Sequence, residues 1–242
     1  MKIVGKTDIG RVRNTNQDAF KILALGAGAG LALVCDGMGG ASGGDRASAL
    51  AKEVITEVVC ARYRDDMGPD AVKIAVREAV MEANRRIYET AQEDPALQGM
   101  GTTVVLALLY QNHAYIAHVG DSRLYCFRDG ALSQLTRDHS FIQELLDQGK
   151  ISKDEAKVHP SKNIITRALG VQWDVELDFH VLELCPGDRL LLCTDGLSNA
   201  CSDAEIAALL GSRPAEEAAE ELIRSANRSG GHDNVTVVIV ES

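Results

Sequence analysis

The chain is expected to be an α+β protein, a layered sandwich of antiparallel sheets covered by helices. Three observations predict this. Two long amphipathic helices follow one another early in the chain, a run of hairpins comes next, and strands and short helices close it. That order is not the strand–helix alternation of a doubly wound parallel sheet.

The first element to stand out is the apolar run Leu31–Cys35, a strand. The Gly26–Gly30 stretch before it lies between two strand-like runs and reads as a hairpin loop. From Gly44 to Arg62, apolar residues recur at Ala47, Leu50, Ala51, Val54, Ile55, Val58 and Val59, the 3.6-residue stripe of a helix. A second stripe, Val72, Val76, Val80, Ala83, Ile87 and Ala91, predicts a helix over Pro69–Glu93, with the proline suited to its first turn. Thr102–Leu109 and Ala114–Val119 then read as strands joined across Gln111-Asn112. Leu124–Phe127 and Leu132–Leu135 are joined across the hairpin dipeptide Asp129-Gly130. Leu190–Thr194 and Val235–Val240 are the last strands. Between them, Ser202-x-x-Glu205 is a capping box opening a helix through Leu210, and Ala215–Ser225 forms another.

No repeat, low-complexity tract or polar linker marks a boundary, so residues 1–242 are expected to form a single domain. The charge is −10, from 25 Lys+Arg against 35 Asp+Glu. An acidic chain argues against nucleic acid or an anionic membrane as main partner, because both need a positive surface, and it suits cations. No apolar run approaches the ~18–20 residues of a membrane span, and no secretory signal or lipidation box is present, so a cytoplasmic protein is expected. The six cysteines form no C-x-x-C pair and several lie in apolar runs, which is the usage of buried free thiols.

Chemistry concentrates in aspartates at strand ends. Asp36 follows LALVC and opens DGMGG, Asp195 follows LLLCT and opens DGLSN, Asp233 precedes NVTVVIV, and Asp121 follows AYIAHVG. Strands leaving at Asp36 and Asp195 and entering at Asp233 can be neighbours in one antiparallel sheet, with their carboxylates at one edge. Carboxylates packed together repel unless something positive sits among them. Hard divalent cations such as Mg²⁺ and Mn²⁺ prefer such oxygen ligands. A single Asp-Gly pair is ordinary turn chemistry, whereas two of them, each ending an apolar strand, favour a site. No H-E-x-x-H spacing, G-x-S-x-G elbow or Walker loop competes, and GAGAG at 26–30 has no helix pattern after it.

Taken in order, these segments resemble the metal-dependent Ser/Thr protein phosphatases, the protein phosphatase 2C (PPM) family, in its compact bacterial form. TDIGRVRNTNQDAF (7–20), VCDGMGG (34–40), GTTVVLAL (101–108) and HVGDSRLY (118–125) resemble its first four motifs. LTRDHS (135–140) with HPSKNIITRALG (159–170) frames its flap, about 139–167, and LLLCTDGLSN (190–199) and GGHDNVTVVIV (230–240) resemble its closing motifs. The resemblance implies a four-layer α-β-β-α sandwich and two Mn²⁺ or Mg²⁺ ions. Asp36 would bridge them, with the Gly37 carbonyl as a further ligand. Asp195 and Asp233 would complete the second ion's protein ligands, and Asp121 with Asp195 a weaker third site. Asp18 would hold metal-bound water and Arg13 would grip the phosphate.

The implied reaction is attack on phosphoserine or phosphothreonine by a bridging hydroxide without a phosphoenzyme, the two cations being about 3.5–4 Å apart. Without the motif, Arg13 would read as a solvated surface arginine beside Arg11. Implied partners are phosphorylated Ser/Thr proteins, among them a cognate Ser/Thr kinase, with the chain a monomer. One departure concerns the general acid. Animal members place a histidine two residues after the bridging aspartate, whereas Met38 stands here, and Ala41-Ser42 follows where some bacterial relatives have a histidine. A catalytically dead scaffold would have lost ligands, and every metal aspartate is present. A phosphomonoesterase of small molecules stays open as the alternative.

Overall fold

The computed structural model describes residues 1–26 and 28–242, with side chains at all of these except 40–42, 153, 157 and 158. Ala27 of the glycine-rich hairpin and the Ala41-Ser42 pair thus lie outside what is described. Two antiparallel sheets face each other. One runs, in spatial order, β1 (Lys2–Asp8), β11 (Val235–Glu241), β10 (Arg189–Cys193), β7 (Arg123–Arg128) and β8 (Ala131–Gln134). The other runs β2 (Asp18–Gly26), β3 (Ala29–Met38), β5 (Val104–Tyr110), β6 (His113–Val119) and β9 (Asp178–Glu183), with the short β4 (Gly101–Thr102) paired to β3. Helices α1 (Gly40–Arg62) and α2 (Pro69–Glu93) cover the second sheet, and α6 (Asp203–Ser212) and α7 (Ala215–Arg228) cover the first. The short α3 (Phe141–Asp147), α4 (Lys153–Val158) and α5 (Asp195–Ser198) sit in connections.

The continuous apolar runs follow from burial on both faces of each sheet. In β3, Leu31, Leu33 and Cys35 pack under α1 and α2, while Ala32 and Val34 face the opposite sheet. In β10, Leu191 and Cys193 face α6 and α7, while Leu190 and Leu192 meet the inter-sheet core. Three apolar layers thus separate four layers of backbone, as expected. Both two-residue hairpins take the left-handed conformation their sequences favour, Gln111 and Asn112 at φ 47 and 58, Asp129 and Gly130 at φ 51 and 79.

Several details differ from expectation. Helix α1 starts at Gly40, earlier than its apolar stripe, because the glycines there carry no signal. The strand expected over 102–109 is interrupted at Thr103, whose N–H donates to the Asp36 carbonyl at 2.8 Å. The edge strands β1 and β9 escape notice because none of their residues is fully buried. Four cysteines are buried, but Cys60 and Cys185 are exposed. Asp36 does not share a sheet with Asp195 and Asp233: β10 and β11 are neighbours, while β3 lies in the facing sheet. The aspartates therefore meet across the sandwich mouth, not along one sheet edge.

Gly196 opens α5 so close to β11 that a Cβ there would overlap the Asn234 carbonyl. Gly196→Ala is expected to push α5 off β11 and cost about 1–3 kcal/mol, as overpacking does. Urea unfolding reads this directly, and an unchanged midpoint would contradict it.

Candidate metal centre

The open mouth between the sheets is a cleft of about 580 Å³, lined by Arg13, Asp36, Gly37, Met38, Asp121, Asp195 and Asp233 among others. Six of the seven residues named from sequence therefore converge here. The seventh, Asp18, lies beneath the floor as the register partner of Asp36.

Hydroxyl side chains hold the floor together. The Asp36 carbonyl accepts from the Thr103 N–H at 2.8 Å and the Thr102 hydroxyl at 2.9 Å. The Asp36 N–H donates to Thr103 Oγ1 at 2.9 Å, and that oxygen is 2.7 Å from Ser122 Oγ, beside Asp121. Asp18 Oδ2 accepts from Thr194 Oγ1 at 2.9 Å and Thr236 Oγ1 at 2.7 Å, which ties β2 to β10 and β11. Asn234 links the loop carrying Arg13 to the start of β11. Its amide donates to the carbonyls of Ile9 and Thr15, each at 2.9 Å, and its Oδ1 accepts the Gln17 N–H at 2.8 Å. These polar residues were overlooked in the sequence, although GTT (101–103) lies inside a recognised motif and the alternating hydroxyls of apolar strands were visible.

The electrostatics are those of uncompensated carboxylates. Burial, then repulsion from Asp18 and Asp195, raises the Asp36 carboxyl well above its usual range. Burial and the charge of Asp195 push Asp121 up to about 8. Burial raises Asp18 to about 7 although Thr236 and Thr194 donate to it, and burial with Asp233 raises Asp195 to about 6. The positive group in the cleft is Arg13, whose Nη2 lies 2.8 Å from Asp233 Oδ2. Asp18 Oδ1 is buried with no hydrogen-bond partner. An orphaned carboxylate oxygen under an acidic floor, with oxygen donors and no cysteine or histidine among the described lining residues, fits hard cations of the Mg²⁺/Mn²⁺ type.

Two histidines of the flap motifs, His139 and His159, could in principle give a leaving alkoxide its proton, and both lie elsewhere. Neither His139 nor His159 lines the cleft, and Met38 does. His118, His139 and Asp178 form a separate group with ligand atoms within 4.8 Å of one another.

Fold and cleft together define a two-sheet sandwich whose mouth carries a carboxylate site suited to hard divalent cations. The family model for protein phosphatase 2C matches residues 9–236, and the chain belongs to that family. It is 40% identical over 240 residues to the Serine/threonine phosphatase stp of Listeria monocytogenes, covering 98% of this chain and 94% of the relative. The crystal structure of the Mycobacterium tuberculosis serine/threonine phosphatase PstP/Ppp superposes with TM-score 0.88 at 38% identity, covering 100% of this chain and 99% of that one. A PstP catalytic domain in complex with 2 manganese ions gives TM-score 0.86 at 38% identity, over 98% and 96% of the two chains. The protein is thus a phosphoprotein phosphatase by class.

Raised carboxyl pKa values give a definite pH signature. A carboxyl whose folded pKa exceeds its unfolded value holds its proton more tightly when folded, so the metal-free fold gains stability as pH falls from about 8 towards about 4. Cations need the deprotonated forms, so Mn²⁺ affinity should rise from pH 6 to 8 with release of protons. Calorimetry in buffers of different ionisation enthalpy checks this. Binding without proton release at pH 6.5 would contradict it.

Proposed function

We propose that the chain is a Mn²⁺- or Mg²⁺-dependent phosphatase of phosphoserine and phosphothreonine proteins. The observation that carries this is the convergence of Asp36, Asp121, Asp195 and Asp233 with Arg13 on one cleft, above the unpartnered oxygen of Asp18. In this reading Asp36 would be shared by two cations, the Gly37 carbonyl would add a ligand, and Asp195 and Asp233 would complete the second ion's protein ligands. Asp121 with Asp195 would hold a weaker third ion. When bound, the cations supply a water activated at neutral pH and neutralise charge on the phosphoryl oxygens.

The protein's own groups do the rest. Asp18 would hold metal-bound water through its unpartnered Oδ1, and the Thr194 and Thr236 hydroxyls keep that carboxylate aimed. Arg13 pairs with Asp233 at 2.8 Å, and its planar fork could bind two phosphate oxygens were Asp233 engaged as a metal ligand. The reaction in this reading is direct attack by water without a phosphoenzyme. With Met38 in the animal histidine position, a water held near Asp121 protonates the leaving alkoxide. The protein acts in the cytoplasm as a monomer, on phosphorylated proteins including a cognate Ser/Thr kinase, without nucleic acid or membrane. No helix among the described residues is long and apolar enough to cross a membrane.

Phosphate release from phosphopeptides and from an aryl phosphate, with and without chelator, tests the reading. Chelation should abolish turnover and Mn²⁺ restore it, and full activity of rigorously metal-free protein would overturn the mechanism. Asp36→Ala, Asp195→Ala and Asp233→Ala should each remove essentially all activity. Arg13→Ala should raise KM while leaving measurable kcat. Asp121→Ala should depress the phosphothreonine peptide far more than the aryl phosphate, whose leaving group needs no proton.

The segment about 139–167 is proposed as a flap over the cleft that selects substrates. It is tied near its ends, where Phe141 N–H donates to the Ile164 carbonyl and Thr166 N–H to that of His139, each at 2.9 Å. Asn163 and Ile165 line the cleft. Its middle, residues 148–162, is polar, and amide exchange there should be much faster than in β10. Equal protection would remove the flap from the account.

A further inference from the structure

His118, His139 and Asp178 look at first like a metal centre, with two imidazole rings whose centroids are 4.6 Å apart and a carboxylate beside them. The hydrogen bonds speak against it. A metal-bound histidine normally donates through its other ring nitrogen. Here His139 Nδ1 faces a donor, the Gly120 N–H, at 3.0 Å, so Nδ1 is an acceptor and the ring proton sits on Nε2. Nε2 in turn faces Asp178 Oδ2 at 3.2 Å. The Arg167 guanidinium closes the group, with Nη1 2.9 Å from Asp178 Oδ1 and 3.0 Å from His139 Nε2, and Nη2 2.8 Å from Glu176 Oε2. The Nε2 proton is accepted by Asp178, and Arg167 braces that carboxylate. Burial, then the charge of Arg167, lowers the His139 pKa and keeps the ring neutral at pH 7. Burial likewise lowers His118 to about 3, so the stacked neighbour adds bulk without charge.

What this neutral ring holds is the residue before Asp121. The His139 backbone N–H donates to the Gly120 carbonyl at 2.8 Å while Nδ1 accepts the Gly120 N–H, so one residue satisfies both polar groups of Gly120. Gly120 sits at φ +112, and a Cβ there would meet Thr103 Cγ2 at 2.5 Å, so the close approach admits only glycine. On the other side of Asp121, Ser122 is held by Thr103. Asp121 thus hangs between two clamps, and the one formed by His139 comes from the base of the segment proposed as a flap.

We propose that His139 is the positioning residue for Asp121, its Nδ1 and backbone N–H fixing Gly120 so that the Asp121 carboxylate faces the cleft, with Asp178 accepting the ring proton on Nε2 and Arg167 bracing Asp178. This rests on reading the cleft as a cation site with Asp121 at its weakest position. It assigns His139 no proton transfer to substrate.

The test is a Mn²⁺ titration by calorimetry on three variants, with circular dichroism as a check on folding and kinetics on the two substrates alongside. His139→Phe keeps a ring but offers no acceptor. It should weaken the weakest Mn²⁺ step by about 10–100-fold, the range typical of losing a group that orients a ligand, and spare the tighter steps. Turnover of the phosphothreonine peptide should fall more than that of the aryl phosphate. His139→Asn offers Oδ1 near the place of Nδ1 and should restore the weak step to within a few-fold, which a proton-donor role would not allow. Asp178→Ala alters a half-exposed carboxylate and is the variant to rely on if His139→Phe does not fold. It should weaken the same step several-fold. An unchanged weak step in His139→Phe or Asp178→Ala would overturn the proposal, as would His139→Asn behaving like His139→Phe. Wild-type protein that binds no Mn²⁺ would instead refute the reading of the cleft itself.

Discussion

Everything at the mouth of the sandwich follows from holding carboxylates together against their own repulsion. Asp36, Asp121 and Asp195 come from different elements and face one cleft, and each has its pKa raised by burial and by its neighbours. Left to themselves, such groups would swing apart or take up protons. The protein prevents the first by hydrogen-bonding the backbone on either side of them. Thr102 and Thr103 fix the Asp36 carbonyl, Thr194 and Thr236 fix Asp18, and Asn234 fixes the loop bearing Arg13. The repulsion is borne by the rest of the fold, whose three apolar layers are built from strands buried on both faces.

That division of labour explains what could be read from sequence. Strands β3, β5, β10 and β11 are buried throughout most of their length, so their runs stand out, and the aspartates that end or precede them were visible for the same reason. Edge strands β1 and β9 have no fully buried residue, only half-buried and exposed ones, and gave little signal. The meeting of Asp36 with Asp195 and Asp233 was foreseen, but not that two sheets are needed, because strand order is a long-range property. Arg13 had no reading of its own without the family motif. The framing hydroxyls were missed because a threonine on an apolar strand is also ordinary strand composition.

In the proposed function, Arg13 lets the same electrostatics serve two roles. Paired with Asp233 at 2.8 Å, it supplies part of the positive charge that the acidic floor lacks. The pair is half-exposed, so its net contribution to stability is small, and an incoming divalent cation has little to overcome in displacing it. An arginine buried more deeply would have stabilised the empty site at the expense of filling it. The exposure of this pair is therefore consistent with a guanidinium that exchanges a carboxylate for a phosphate.

The aspartates are not held alike. Asp18 and Asp36 lie inside paired strands, where ladder hydrogen bonds and hydroxyls act together, and moving either would break the sheet. Asp121 lies in the turn between β6 and β7, outside any ladder, and depends on the side chains of Thr103 and His139 reaching its neighbours. His139 belongs to the same stretch of chain as Ile165 at the cleft rim, through the hydrogen bond from the Thr166 N–H to its carbonyl. A displacement of that stretch would reach Asp121 through two hydrogen bonds to Gly120, while Asp36 would stay where its strand keeps it. In the proposed reading the two tighter cations rest on the sheet and the weaker one on the base of the flap. The position that responds to what lies over the cleft would then be the one whose water protonates the leaving group.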